Sequence, residues 1–118
     1  MNGVDAVLLA SGNDYRAVES ACGVQASSDG HYTSLSKWQI EENKLIGCLT
    51  LPLAIGVVGG SISARKDVQQ SFSLLGKVNA QQLANIIASI GLANNFAALY
   101  AITSQGINAG HMKLQARN

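Results

Sequence analysis

The stretch NAQQLANIIASIGLANNFAA, Asn79–Ala98, carries a clear helical pattern. Its apolar residues recur at helical spacing and predict one long amphipathic helix. These residues are Leu83, Ile86, Ile87, Ile90, Ala97 and Ala98. Asn79 and Gln82 have the spacing of a capping box, so we expect the helix to begin there. Gly91 costs about 1 kcal/mol relative to alanine inside a helix, which indicates that another element packs closely against this position.

The segments before this helix predict shorter helices and one hairpin. Residues 3–26 have apolar residues at helical spacing, interrupted at Gly12, and predict two helices or one bent helix. Residues 64–75 also predict a helix. Residues 32–40 and 45–53 are rich in strand-forming side chains and are separated by a short polar turn, as in a β-hairpin. Helices combined with one hairpin give α+β as the fold class.

The composition narrows the class of protein. The chain has 118 residues, enough for one domain, but 47% are hydrophobic and only 13% are charged. This apolar balance indicates a piece of a larger core or an oligomer interface. The net charge of +1 gives no sign of a nucleic-acid partner. Cys22 and Cys48 are interpreted as reduced thiols of a cytoplasmic protein. No secretory signal and no apolar run of membrane-spanning length are expected, so no membrane partner is predicted.

Common cofactor motifs are absent from the sequence. The histidines and cysteines have no close metal-ligand spacing, and no metal site is predicted. The glycine-rich run GVVGG, Gly56–Gly60, is neither a dinucleotide-binding fingerprint nor a phosphate-binding P-loop. Taken locally, it predicts a glycine-rich turn.

Two polar residues raise a choice between structure and chemistry. Asp14 ends the stretch SGND after an apolar run, and either it or Asn13 can cap the helix that follows. The other interpretation is that its carboxylate takes part in a reaction. His111 follows a glycine-containing segment, and histidine is the natural acid near neutral pH. A lone histidine is also commonly structural or simply exposed. The residues taken alone leave both alternatives open.

Three separated motifs, taken together, resemble a known family. The segments MNGVDAVLLASGNDYRAVES, LPLAIGVVGGSIS and AITSQGINAGHMKL follow the order and spacing of motifs in hydroxymethylglutaryl-CoA (HMG-CoA) reductases of the bacterial class II type. The resemblance extends over essentially the whole chain. Ile62 stands where the family usually has threonine, and Ala109 stands where it usually has a polar or basic residue. Both departures concern details of the pocket.

The resemblance implies a fragment, because enzymes of this family are several times longer. Residues 1–104 would form part of the large, substrate-binding domain, and residues 105–118 would begin the C-terminal flap. The small cofactor-binding domain, the catalytic glutamate and the catalytic lysine would all precede Met1. For this reason the isolated chain is expected to be inactive.

The resemblance also implies roles for individual residues. Asp14 matches the catalytic aspartate, His111 the histidine of the flap, and Asn2 an asparagine of the catalytic hydrogen-bond network. The loop of Gly56, Val57, Val58, Gly59 and Gly60 would lie near the cofactor and the substrate.

The implied reaction is the reduction of HMG-CoA to mevalonate and free CoA, in the mevalonate pathway of isoprenoid biosynthesis. Two hydrides would come from NADPH or NADH, and no metal would be required. A homodimer is expected for the complete enzyme. The competing hypothesis is a non-catalytic module that binds acyl-CoA or a partner protein through its apolar faces.

Overall fold

The computed structural model describes residues 1–28 and 30–104, in which five helices accompany one β-hairpin. The helices are α1 (Asn2–Ala10), α2 (Tyr15–Ala26), α3 (Gly60–Ala64), α4 (Lys66–Leu75) and α5 (Ala80–Ser104), and the strands are β1 (Ser36–Glu41) and β2 (Lys44–Leu49). This arrangement confirms the α+β prediction.

The break predicted at Gly12 separates α1 from α2. Gly12 has φ of +74°, in the left-handed region that favours glycine. A Cβ atom at this position would stand 3.0 Å from Ile62 Cγ1 and 3.3 Å from Val68 Cγ1. The two helices are therefore distinct. The turn between them, residues 11–14 (the Asp14 turn), packs against Ile62 and Val68, which follow the glycine loop, residues 56–60.

The hairpin is antiparallel and shorter than the sequence predicts. Its turn residues Glu42 and Asn43 have φ of +50° and +63°, as in the type I′ turn whose twist suits a two-residue loop. Trp38 pairs with Gly47 across the strands, and its ring covers the space where a side chain at Gly47 would stand. The Trp38 Nε1–H donates a 2.8 Å hydrogen bond to Asn95 Oδ1, which holds the hairpin against α5.

The helix predicted over residues 64–75 is wrong at its start. Arg65 has φ of −94° and ψ of 120°, so it is extended, and α4 begins at Lys66. The short α3 precedes it as a separate turn of helix. Helical spacing does not record a single extended residue, because it follows only which residues are apolar.

The core lies between α1, α2 and the first half of α5. Its buried members are Val4, Leu8, Val18, Cys22, Leu83 and Ile87. The capping box predicted for α5 is confirmed, since Asn79 N–H donates to Gln82 Oε1 at 2.9 Å and Gln82 N–H donates to Asn79 Oδ1 at 2.8 Å. Close packing at Gly91 is also confirmed, because a Cβ there would stand 2.9 Å from Leu49 Cδ2.

The second half of α5 is largely exposed. Ala97 and Ala98, which belong to the predicted apolar stripe, are exposed, and so are Phe96 and Tyr100. By length and composition alone, α5 is long and apolar enough to cross a membrane. The expectation that no segment has this character was wrong, because the polar residues that interrupt α5 carry no charge. A core helix of a soluble protein satisfies the same test.

Candidate functional site

Asp14 is the N-cap residue of α2. Its Oδ1 accepts hydrogen bonds from the backbone N–H groups of Arg16 at 3.0 Å and Ala17 at 3.3 Å. The side chain is exposed, and among the described residues no hydrogen bond reaches Oδ2. The capping interpretation is therefore confirmed for Asp14. It does not exclude a chemical role, because one carboxylate oxygen caps the helix and the other faces away from those bonds.

Asn13 does not cap α2 but connects two of the sequence motifs. The Gly56 N–H donates to Asn13 Oδ1 at 2.9 Å, and Asn13 Nδ2 donates to the Gly56 carbonyl at 3.1 Å. The partners fix the orientation of the amide, because the Gly56 N–H can only donate and its carbonyl can only accept. This pair of bonds places the turn that contains Asp14 beside the start of the glycine loop.

The Asn13 amide is itself held by the end of α1. Its Nδ2 lies 3.1 Å from Ser11 Oγ, and its backbone N–H donates to the Leu8 carbonyl at 2.8 Å. Ser11 is only 4% exposed, and its hydroxyl donates to the Val7 carbonyl at 2.7 Å. A continuous set of hydrogen bonds therefore runs from the last turn of α1 to Gly56.

The glycine loop, residues 56–60, is partly exposed. Val57 packs against the core, whereas Val58 is 82% exposed. Gly59 has φ of +134°, and a Cβ there would meet nothing within 4 Å. On the side where a Cβ would stand, the described residues therefore leave open space beside Gly59. Gly60 begins α3, and its surroundings are outside the description.

Asn2 lies away from Asp14 within one copy of the chain. It is the first residue of α1, whereas Asp14 follows the end of that helix. At roughly 1.5 Å per residue, α1 separates the two ends by about 12 Å. The neighbouring Gly3 N–H donates to Asn94 Oδ1 at 2.8 Å, so α5 supplies the cap for the first turn of α1. The described residues do not bring Asn2 and Asp14 into contact.

A pair of acidic residues, Asp5 on α1 and Glu19 on α2, was not predicted from the sequence. Asp5 Oδ1 is buried and has no hydrogen-bond partner in the described part of the chain. A hydrogen bond between the Asp5 and Glu19 carboxyl groups, which requires a shared proton, raises the pKa of Glu19. Burial, with a smaller effect of Asp5, raises the pKa of the Cys22 thiol. Asp5 and Glu19 are far apart in sequence, and no local motif marks them as a pair.

The remaining predicted site residue, His111, lies outside the described residues, as does all of the segment 105–118. Within residues 1–28 and 30–104, no cluster of histidine, cysteine, aspartate or glutamate side chains could hold a metal ion. The geometry thus joins Asn13, the neighbour of Asp14, to Gly56 and leaves Asn2 at the other end of α1.

Comparison with known proteins identifies relatives. Residues 1–116 match the family model of hydroxymethylglutaryl-coenzyme A reductase. The 3-hydroxy-3-methylglutaryl-coenzyme A reductase of Archaeoglobus fulgidus is 40% identical over 119 aligned positions, which cover 100% of this chain and 27% of that protein. The chain therefore spans about a quarter of the length of this relative.

Solved structures give the same result. The 3-hydroxy-3-methylglutaryl-coenzyme A reductase of Streptococcus pneumoniae superimposes with a TM-score of 0.85 at 50% identity, over 98% of this chain and 28% of that one. A class II structure of the S. pneumoniae enzyme bound to NADPH, in open conformations, superimposes with a TM-score of 0.84 at 51% identity over the same shares. Because the family model matches nearly every residue, this chain belongs to the hydroxymethylglutaryl-coenzyme A reductase family.

Proposed function

We propose that this chain is part of a class II HMG-CoA reductase, which reduces HMG-CoA to mevalonate and CoA with two equivalents of NADPH or NADH. Residues 1–104 belong to the large, substrate-binding domain, and residues 105–118 begin the C-terminal flap. The observation that carries the proposal is the Asn13–Gly56 pair. It joins the Asp14 turn to the glycine loop, 43 residues away in the chain, and both segments belong to motifs of the family.

Asp14 is proposed as the partner of a lysine that precedes this chain in the complete protein. The first hydride transfer places negative charge on the former thioester oxygen, which requires a preorganised cation or hydrogen-bond donor. A carboxylate close to an ammonium group favours the charged form of the ammonium group and fixes the position of that group. The capping bonds of Asp14 use Oδ1, so Oδ2 is the atom that we assign to the lysine.

His111 is proposed as the acid that protonates the CoA thiolate as it leaves. Histidine has its proton available near neutral pH. A segment that closes after the substrate binds excludes water from the reaction, and its opening permits release of the product. A histidine on such a segment is present at the site only while the reaction proceeds.

The glycine loop is proposed to lie beside the bound cofactor and substrate. The space beside Gly59 supports such a role, because a Cβ there would meet nothing within 4 Å among the described residues. NADPH or NADH supplies the hydrides when bound, and the residues that hold most of this cofactor belong to a domain outside this chain.

A cytoplasmic homodimer is proposed as the working form. Two features support it. The exposed apolar side chains on the second half of α5, among them Phe96, Leu99 and Tyr100, are suited to burial against protein. The separation of Asn2 from Asp14 by α1 also leaves the two residues out of direct contact within one copy, as expected if a site draws them from two copies.

The test uses the full-length protein that contains this chain. HMG-CoA-dependent oxidation of NADPH or NADH, followed by absorbance, measures the reaction. Asp14→Asn retains an excellent N-cap side chain but removes the charge, so we expect turnover to fall by orders of magnitude at unchanged stability and nearly unchanged HMG-CoA affinity. Near-normal turnover in this variant would remove Asp14 from the chemistry.

A matched control separates charge from capping. Asp14→Ser also retains the cap and removes the charge, whereas Asp14→Ala removes both and is expected to cost a further ~1 kcal/mol of stability. Absence of any HMG-CoA-dependent oxidation in the parent protein, together with retained binding of HMG-CoA, would favour the non-catalytic acyl-CoA-binding module instead.

A further inference from the structure

We infer that Asn13 is a positioning residue that holds the glycine loop in register with Asp14. This inference rests on the proposed function. Asn13 is adjacent to Asp14 in the chain, and both hydrogen-bonding groups of its side chain are used on Gly56. A movement of the loop relative to the Asp14 turn must therefore break one or both of these bonds.

The geometry resembles one rung of a β-ladder in which a side-chain amide replaces a peptide. A single hydrogen bond would fix a distance only, whereas the two bonds at 2.9 and 3.1 Å also fix the rotation of Gly56 relative to Asn13. The amide is part-buried, so water competes less for its partners. The inference therefore concerns the orientation of the loop as well as its distance.

Other contacts at the turn show why Asn13 is suited to this task. Its amide also lies 3.1 Å from the Ser11 hydroxyl, which is anchored on α1. Gly12 leaves room for Ile62, just beyond the glycine loop, to approach the turn. The loop is thus held against the turn by apolar contact on one side and by the amide on the other, and only the amide is directional.

The consequence for the reaction follows from the precision that catalysis requires. A displacement of about 1 Å at a site can reduce the rate by about a hundredfold. If the loop orients the bound substrate or cofactor and Asp14 orients the lysine, Asn13 fixes the position of the reacting groups relative to one another. Its loss should lower kcat more than it raises KM, because the binding groups remain present.

The experiment compares Asn13→Ala with Asn79→Ala in the full-length protein. Asn79 is a matched control, because it forms a reciprocal pair of hydrogen bonds with Gln82 at the start of α5. Among the described residues, its side chain makes no hydrogen bond to the Asp14 turn. We expect Asn13→Ala to lower kcat by about tenfold to a hundredfold, with KM changed by less than about threefold. Asn79→Ala should leave both constants within about twofold of the parent.

Asn13→Asp provides a second variant that does not open a cavity. It retains the acceptor for the Gly56 N–H but sets an oxygen against the Gly56 carbonyl, so kcat should also fall. Amide hydrogen exchange of residues 55–59 supplies a readout that does not depend on turnover. Exchange should become faster in Asn13→Ala, which loses the acceptor for the Gly56 N–H, but not in Asn79→Ala.

The outcomes separate this inference from the proposed function. An active parent whose kcat survives both changes at Asn13, or equal losses in Asn13→Ala and Asn79→Ala, would overturn the positioning role while leaving the reductase assignment intact. Unchanged exchange of residues 55–59 in Asn13→Ala would overturn it as well, whatever the activity. A parent without HMG-CoA-dependent oxidation would instead contradict the proposed function itself.

Discussion

Asn94 accepts a 2.8 Å hydrogen bond from the backbone N–H of Gly3 and so caps α1 from a different helix. Met1, the residue before α1, provides no side-chain cap. The first-turn N–H groups of a helix have no partner within it, and here α5 supplies one. Because Asn2 begins α1, the same bond also sets the position of a proposed site residue.

The first prediction follows from this bond. In the full-length protein, the free energy of unfolding of Asn94→Ala should lie about 1 kcal/mol below that of the control Asn85→Ala, the usual cost of losing an N-cap. Denaturant unfolding measures it. Asn85→Ala is the control, because Asn85 lies exposed on the same helix and, among the described residues, its side chain is hydrogen-bonded to Gln81 alone. It gains the same helix propensity without losing a cap, so its stability should equal or slightly exceed that of the parent.

The second prediction concerns the close approach of α5 to α1 and the hairpin. A Cβ on Gly91 would stand 2.9 Å from Leu49 Cδ2 and 3.0 Å from Val4 Cγ2, whereas a Cβ on Gly23 in α2 would meet nothing within 4 Å. Gly23→Ala should therefore stabilise the protein by up to about 1 kcal/mol through helix propensity alone. Gly91→Ala gains the same propensity but overpacks the core, so it should be less stable than Gly23→Ala by about 1–3 kcal/mol.

Thermal or denaturant unfolding of both variants gives the comparison directly. The difference between their free energies of unfolding isolates the effect of packing, because both variants replace a glycine by alanine within a helix. Equal stabilisation by both changes would show that Leu49 and Val4 move aside without cost, and that the glycine is not needed for the approach.

These residues also show which features of the fold could be predicted from the sequence alone. The capping box of Asn79 and Gln82 and the constraint at Gly91 were predicted, because both depend on local spacing or on one unusual residue in a helix. The apolar stripe was predicted to extend through Ala97 and Ala98, but the described residues leave both exposed. Apolar spacing indicates which face seeks burial, but it does not indicate what covers that face.

At the candidate site, too, some features could be predicted from the sequence and others could not. Asp14 could be recognised as a cap or a reacting group because it follows an apolar run and belongs to a motif. The pairing of Asn13 with Gly56 and of Asp5 with Glu19 depends on how distant segments meet, and no residue pattern within either segment records it. His111 was predicted from its motif alone, and its placement lies outside the described residues.

The third prediction is a pH dependence at the Asp5–Glu19 pair. The pKa of Glu19 is raised in the folded protein, so its protonated form contributes stability below the ordinary glutamate pKa. This contribution is lost as the pH rises through the raised value. Glu19→Gln carries a permanent donor for Asp5, so the stability of the variant relative to the parent should increase between acid and neutral pH.

Unfolding free energies measured across that range test the sign. Glu42→Gln, an exposed substitution in the hairpin turn, should show a constant difference from its parent. A Glu19→Gln difference that is flat or falls with rising pH would show that the two carboxyl groups do not share a proton.

The fourth prediction uses the separation of Asn2 and Asp14 by α1. If the proposed homodimer builds each site from both copies, Asn2 of one copy acts with Asp14 of the other. Asn2→Ala and Asp14→Asn should each be strongly impaired as pure proteins. In a two-fold dimer of the two variants, one site then carries both changes and the other carries neither.

Mixing the two variants under conditions of subunit exchange tests this arrangement. Random exchange makes about half of the dimers mixed, each with one intact site of two, so activity should recover to about a quarter of the parent value. Differently tagged copies of Asp14→Asn, exchanged with one another, provide the control and should show no recovery. If mixed dimers are isolated through their two tags and remain inactive, Asn2 and Asp14 do not act across a dimer interface, and the support drawn from their separation is lost.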